Sequence, residues 1–337
     1  MNRYGYSLMC EAKGPRQLID EARRAEEAGF DFVTISDHFH PWLYSQRHSG
    51  YAWSILGALA QATTDIDLVT MVTCPTVRYH PAIVAQKAAT LALLSEGRFV
   101  LGLGAGERLN EHVTGMPWPP VDVRHDRLAE AIEIIQILHA GGYVTYRGEF
   151  FDVEDARVFD LPDEPVPLFA AASGPRSARV AGQGGVGLCN TEPRADVVGA
   201  FVDAGGDGAD TWAQIGLAWA PSEDEGLAQA LEGAKFMVPG WKVMSELPNP
   251  VNFEAATRHV RADDLAPMMP AGPDPAPHLQ GIDRYHQAGY HHVSVMYPGQ
   301  DLPGFLRFWS EELRPSLTAG RADTEPQARP LTSVPGR

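Results

Sequence analysis

Phe30-Asp31-Phe32-Val33-Thr34-Ile35-Ser36-Asp37-His38-Phe39-His40-Pro41-Trp42 joins two kinds of sequence. Its first half is apolar and β-branched, the pattern of a strand buried on both faces. Its second half releases a carboxylate, an imidazole and an indole in quick succession. The C-terminal end of a parallel strand is where α/β barrels keep their chemistry. Asp37, His38 and Trp42 there suggest proton transfer beside a flat ligand. The plain alternative is a polar loop whose Trp42 packs under a neighbour.

Strand-like and helix-like segments alternate outward from this stretch. Residues 4–8 read as a strand, and Pro15 to Ala28 as a helix with an apolar stripe of Leu18, Ile19, Ala22, Ala25 and Ala28. Gly29 stands just past its end. After the strand at 32–36 come an irregular stretch to about Ser49, a helix at 51–63, a strand at 67–73 and a helix from Pro81 to Leu94. Arg98 to Leu103 reads as a strand, 122–139 as a long amphipathic helix, and Val144 to Phe151 as an inserted β-hairpin. Strands at 166–171, 186–189 and 213–219 each precede a helix. Residues 237–276 form a Pro- and Met-rich insertion, followed by a helix at 277–288, a strand at 292–296 and a helix at 301–313.

Strands beginning at 4, 32, 67, 98, 166, 186, 213 and 292 make eight, so residues 1–315 read as a single (β/α)8 TIM barrel with insertions. Residues 316–337 lack apolar periodicity and read as a disordered tail. A doubly wound sheet would carry a dinucleotide turn. Gly102, Gly104 and Gly106 begin one, but neither register supplies the third glycine of G-x-G-x-x-G.

The chain has 337 residues, 44% of them hydrophobic and 21% charged, as in an ordinary globular protein. A formal charge of −16 argues against nucleic acid or an anionic membrane as the main partner. No apolar run approaches the roughly 18–20 residues needed to span a bilayer, and no signal peptide is apparent. Cys10, Cys74 and Cys189 are few and scattered, as in a reducing cytoplasm. The expected setting is a cytoplasmic homodimer acting on a small molecule.

Unusual residues gather at the inferred strand ends. Strand one is followed by Cys10 and Glu11, and strand three by Met71, Val72, Thr73 and Cys74. Strand four releases Gly104, Gly106 and Glu107, with Asn110 close behind. Strand five opens into Ala172-Ser173-Gly174-Pro175, where free N–H groups at a helix start can receive a phosphate. Glu107 could instead cap the following helix, and Ser173-Gly174-Pro175 could be an ordinary helix start. His40, His80, His112, His291 and His292 show no metal-ligand spacing with carboxylates or thiols and read as structural; no metal is expected.

These residues carry a family resemblance. SDHFHPW (36–42), CPTVRYHPA (74–82), RFVLGLGAGERLNE (98–111), the YRGEFFDV hairpin (146–153) and VPLFAAASGP (166–175) resemble the luciferase-like flavin and deazaflavin oxidoreductases. Within them the chain is similar to the glucose-6-phosphate dehydrogenase-like subgroup that uses coenzyme F420. The resemblance spans residues 4–315. It implies a bacterial luciferase-like barrel that transfers hydride from an alcohol or sugar hydroxyl to the deazaflavin. It assigns His38 as the base for the hydroxyl proton, Glu107 as the acid toward the deazaflavin ring, and Trp42 and Glu11 as flanks of the reacting carbon. Asp37, Met71, Val72, Cys74, Gly106, Asn110, Ala172, Ser173 and Gly174 fall on the cofactor side, with a non-prolyl cis peptide implied at Met71-Val72. The chemistry is consistent, because removing a proton from oxygen wants a base near neutral pKa.

One departure bears on substrate. Members acting on sugar phosphates clamp the phosphate with two lysines and an arginine, and here those positions align with Pro193, Met244 and Met268. A phosphate dianion without a cationic partner loses several kcal/mol. Met237, Met269, Trp241 and Pro239 nearby suggest a soft apolar pocket and a neutral alcohol or sugar. Rival readings are a glucose-6-phosphate dehydrogenase proper, an FMN-dependent monooxygenase with FMN in place of F420, and a luciferase-like binding protein without turnover.

Overall fold

Residues 1–319 are described by a computed structural model of the chain. Ten strands occur in chain order: β1 (Arg3–Leu8), β2 (Phe32–Ile35), β3 (Asp67–Thr70), β4 (Phe99–Leu103), β5 (Val144–Arg147), β6 (Asp152–Ala156), β7 (Leu168–Ala171), β8 (Gly187–Asn190), β9 (Thr211–Gly216) and β10 (His292–Met296). Eight of them close a parallel barrel in the order β1-β10-β9-β8-β7-β4-β3-β2. Those eight are the ones expected from the alternation. β5 and β6 form a separate antiparallel hairpin.

Local chemistry sets the element ends. The helix Pro15–Glu27 stops where Gly29 adopts φ +83°, a conformation that costs glycine little. The helix Pro81–Leu94 starts on proline, with the His80 ring accepting from the Ala82 amide. The helix Glu223–Ala234 is capped by the Ser222 hydroxyl and carries three acids in its first turn. The hairpin turn after β5 is pinned by Glu130, whose carboxylate collects the amides of Glu149, Phe150 and Phe151.

The barrel interior is layered. Phe32, Val69, Val100, Phe169, Cys189 and Trp212 pack together as an apolar plug. On the β1, β2, β9 and β10 side a polar layer joins Ser7, Thr34, Gln214 and Ser294 through hydroxyl and amide hydrogen bonds. A second apolar cluster lies at the mouth. It unites Trp42, Leu43 and Leu109 from two βα loops with Phe236, Met244, Phe253, Leu265 and Met269 from the chain after β9.

The C-terminal boundary shifts from the expected one, and the insertion gains local structure. The tail expected from 316 overlaps a helix, Arg314–Thr318, that continues the C-terminal helical run, because Leu313 is still buried and anchors it. The remainder of that tail, 320–337, lies outside the described residues. The insertion at 237–276 contains short helices at Trp241–Met244 and Pro250–Ala256, the second capped by Asn249.

Candidate active site

Glu11, His38 and Glu107 come from the ends of three different barrel strands and meet at one imidazole. Glu11 Oε1 lies 2.7 Å from His38 Nδ1, and Glu107 Oε1 lies 2.9 Å from His38 Nε2. Burial opposes charge on this ring, yet the two carboxylates outweigh it and His38 is pushed up to about 10. Burial would raise Glu11, but the imidazolium and the Ser36 hydroxyl, 2.7 Å from Oε2, bring it below the usual carboxylate range. At neutral pH the ligand-free ring is therefore an imidazolium. The near-neutral base expected from the chemistry is not what the ligand-free site contains.

The neighbours hold this group in place. Asn110 donates its amide to Glu107 Oε1 at 2.5 Å while its carbonyl accepts from the Phe39 and His40 amides at 2.7 and 3.1 Å. Glu107 stands at the start of the short helix Arg108–Glu111 without its side chain capping it, so the carboxylate is directed to His38 instead. Trp42 meets the His38 ring edge-on at 4.8 Å and stacks on Phe236 at 4.9 Å. Its place in the mouth cluster combines packing with contact to the reactive ring.

Asp37 is fully engaged below that level. Its carboxylate accepts from Thr73 at 2.9 Å and from Trp53 and Tyr79 at 3.2 Å, and Arg78 lies 3.3 Å away. The network continues into Glu111, which accepts the Arg78 amide at 2.7 Å. Burial pushes Glu111 up to about 7 against the pull of Arg78. Arg78 and Glu111 were not singled out from the sequence, although both lie inside the quoted motifs. A surface arginine and a helix-end glutamate look the same on paper.

The wall expected to face a cofactor is built from small groups. The Met71–Val72 peptide is cis. A Cβ on Gly104 would lie 2.5 Å from Val72 Cγ2 and 3.2 Å from Cys74 Sγ, and Gly106 takes φ +88°. Glu107 Oε2 is buried without a hydrogen-bond partner among the described residues. A glycine-walled strand end beside a partnerless carboxyl oxygen fits a flat heterocycle with a polar edge. At β7 Ala172 is buried, Ser173 is exposed, and the Gly174 amide already donates to Ser177 Oγ, so one of the amides expected to be free there is in use.

The three positions tied to substrate charge separate. Met244 is buried in the mouth cluster, Pro193 is exposed after β8, and Met268 is 39% exposed. Its neighbour Met269 is the buried one and fills the space above Gly216. Arg194, beside Pro193, is bound by Asp196 through two hydrogen bonds. The histidines read as structural have structural partners: His40 with the Leu109 carbonyl, His112 with that of Arg108, His291 with Thr211 and His292 with Asp210.

A parallel barrel with an acid–imidazole–acid cluster at its mouth defines a class of barrel enzymes, and sequence comparison places the chain within it. The luciferase-like monooxygenase family matches residues 3–292, and the protein belongs to that family. Among curated relatives, the F420-dependent glucose-6-phosphate dehydrogenase of Microbacterium testaceum is 36% identical over 94% of this chain and 97% of its own length. The enzyme of the same name from Beutenbergia cavernae is 37% identical over 95% and 98%. Among solved structures, an F420-dependent secondary alcohol dehydrogenase in complex with an F420-acetone adduct superposes with a TM-score of 0.87 at 30% identity, over 93% of this chain and 98% of that one. The F420-dependent tetrahydromethanopterin reductase of Methanopyrus kandleri, at 22% identity and a TM-score of 0.74, shares the fold.

Proposed function

We propose that this protein oxidises a neutral alcohol or sugar hydroxyl, with coenzyme F420 as hydride acceptor. It is an F420-dependent oxidoreductase acting on CH–OH groups. The observation that carries the reading is the Glu11–His38–Glu107 cluster at the barrel mouth. When bound, F420 supplies a ring carbon that accepts hydride. Everything else falls to the protein.

His38 is the proton-handling group toward the substrate oxygen. Glu11 holds Nδ1, so Nε2, which faces Glu107 in the ligand-free site, is the nitrogen that exchanges a proton with the substrate oxygen. Reduction of a ketone can use the imidazolium directly as an acid. Oxidation of an alcohol needs the ring proton to leave first, and Glu107 Oε1 is the acceptor within reach at 2.9 Å. Trp42 and the apolar cluster behind it exclude water from this exchange. Glu107, buried beside the glycine-walled wall, is the group placed to give a proton to the cofactor edge.

Neutral substrate preference is supported by Met244 within the mouth cluster and by Arg194 being engaged by Asp196. Glucose 6-phosphate, named for the curated relatives, is the competing substrate. Loss of deazaflavin absorbance with a panel of secondary alcohols, uncharged sugars and glucose 6-phosphate separates the two. The expected result is higher kcat/KM on an uncharged member. Micromolar KM with rapid turnover of glucose 6-phosphate would establish the competing reading.

A further inference from the structure

Residues 244–246 lie between the two loops that carry the reactive side chains. On one side Met244 packs in the cluster that holds Trp42, Leu43 and Leu109. On the other, the Ser245 carbonyl accepts the Arg108 amide at 2.9 Å. The Glu246 carboxylate receives the Arg124 guanidinium at 2.5 Å and the Trp118 indole N–H at 2.9 Å. Arg124 is buried, lies 4.2 Å over the Trp118 ring, and donates to the Gly106 carbonyl at 3.3 Å.

The Gly106 carbonyl and the Arg108 amide belong to the two peptide groups that flank Glu107. Both are tied to the same short segment, one directly through Ser245 and the other through Arg124 and Glu246. Fixing both peptide planes fixes the backbone dihedrals of Glu107 and so the direction of its side chain. We propose that Glu246 is a positioning residue for Glu107, holding its carboxylate against His38 and making the insertion after β9 part of the proton-transfer apparatus.

The charges make Glu246 the member that matters. Arg124 is buried, and burial disfavours its charge while Glu246 opposes this, so the guanidinium relies on that carboxylate as its ionic partner and for its place. Glu246 is half-exposed and can be replaced without opening the barrel core. The Lys235–Glu254 ion pair, 2.8 Å long, braces the chain after β9 at another point and serves as a control.

The test uses ligand-free protein with ¹⁵N-labelled histidine, the His38 signal being assigned by its loss in His38→Gln. In Glu246→Ala, His38 should titrate at lower pH than in the parent, because Glu107 no longer stays beside Nε2. Glu246→Gln, which keeps oxygen and loses charge, should fall between, and Glu254→Ala should match the parent. In steady state Glu246→Ala should lose about ten- to a hundredfold in kcat, the scale of a displaced catalytic group. Only this rate arm rests on the dehydrogenase reading. If no alcohol is oxidised by any form, that reading fails and the titration still decides the inference. An unmoved His38 titration in folded Glu246→Ala, or an equal shift in Glu254→Ala, overturns it. Should Glu246→Ala not fold, the same titration in Glu246→Gln decides.

Discussion

His38 carries a carboxylate on each ring nitrogen, and this sets how the protein responds to pH. Its folded pKa of about 10 stands above the unfolded value of about 6.5. The stabilisation it contributes is therefore complete below the unfolded value and is lost as pH rises through the folded one. Urea unfolding of the parent and of His38→Gln should show a stability difference that is largest near about pH 6 and shrinks by about pH 10.5. A difference that grows with pH would mean that the ring is neutral in the folded state. The same residue carries the kinetic prediction. His38→Ala should cut alcohol oxidation by about 10²–10⁴-fold, the range for loss of a general acid or base. F420 fluorescence titration should show cofactor binding retained, and near-parental kcat would remove the imidazole from the chemistry.

At the scale of the element, the loop after β2 is held from outside itself. Asp37 gathers Thr73, Trp53, Tyr79 and Arg78, Asn110 gathers the Phe39 and His40 amides, and Gln46 gathers those of Trp42 and Leu43. The loop has no repeating backbone ladder, so buried polar side chains take over that role. Asp37→Ala should leave Arg78 buried without this partner and destabilise the protein by about 3–5 kcal/mol. Asp37→Asn keeps an acceptor and should cost clearly less. Equal losses for the two in chemical denaturation would show that charge on Asp37 is not what holds the loop. By its motif Asp37 falls on the cofactor side. Its motif was readable, but its hydrogen-bond partners are separated from it by 16 to 42 residues and leave no local pattern.

For the whole molecule, the distribution of charge is the informative quantity. A net charge of −16 makes two copies repel, which favours a self-association face with few charges. The helices Ala52–Ala62 and Pro81–Leu94 have such faces. Their exposed positions include Ala58, Gln61, Ile83, Gln86, Leu93 and Leu94, with no acid or base among the exposed residues of either helix. The helix Pro15–Glu27 instead exposes Arg16, Asp20, Arg23, Arg24 and Glu27. A homodimer through the uncharged pair is the expected assembly. Light scattering should find a dimer in the parent and a monomer in Leu93→Arg; a dimer that survives this change places the contact elsewhere. No helix of the described residues is long and apolar enough to cross a membrane.

The eight barrel strands were readable because each is a short apolar run bounded by glycine, proline or a helix cap, signals that act within a few residues. SDHFHPW and GAGERLNE carry His38 and Glu107, Glu11 follows the first strand, and the strand ends bring the three together. What the linear pattern could not determine was how those residues are charged and held. His38 is an imidazolium because carboxylates 27 and 69 positions away in the chain, at Glu11 and Glu107, converge on it in a largely buried site. Arg124 and Glu246, 122 residues apart, form an ion pair that no spacing rule predicts. Met268 and Met269 are chemically identical, and only the gap above Gly216 decided which is buried. Apolar periodicity is local and survives in the sequence, whereas electrostatic environment and packing are sums over neighbours that only the closed barrel assembles.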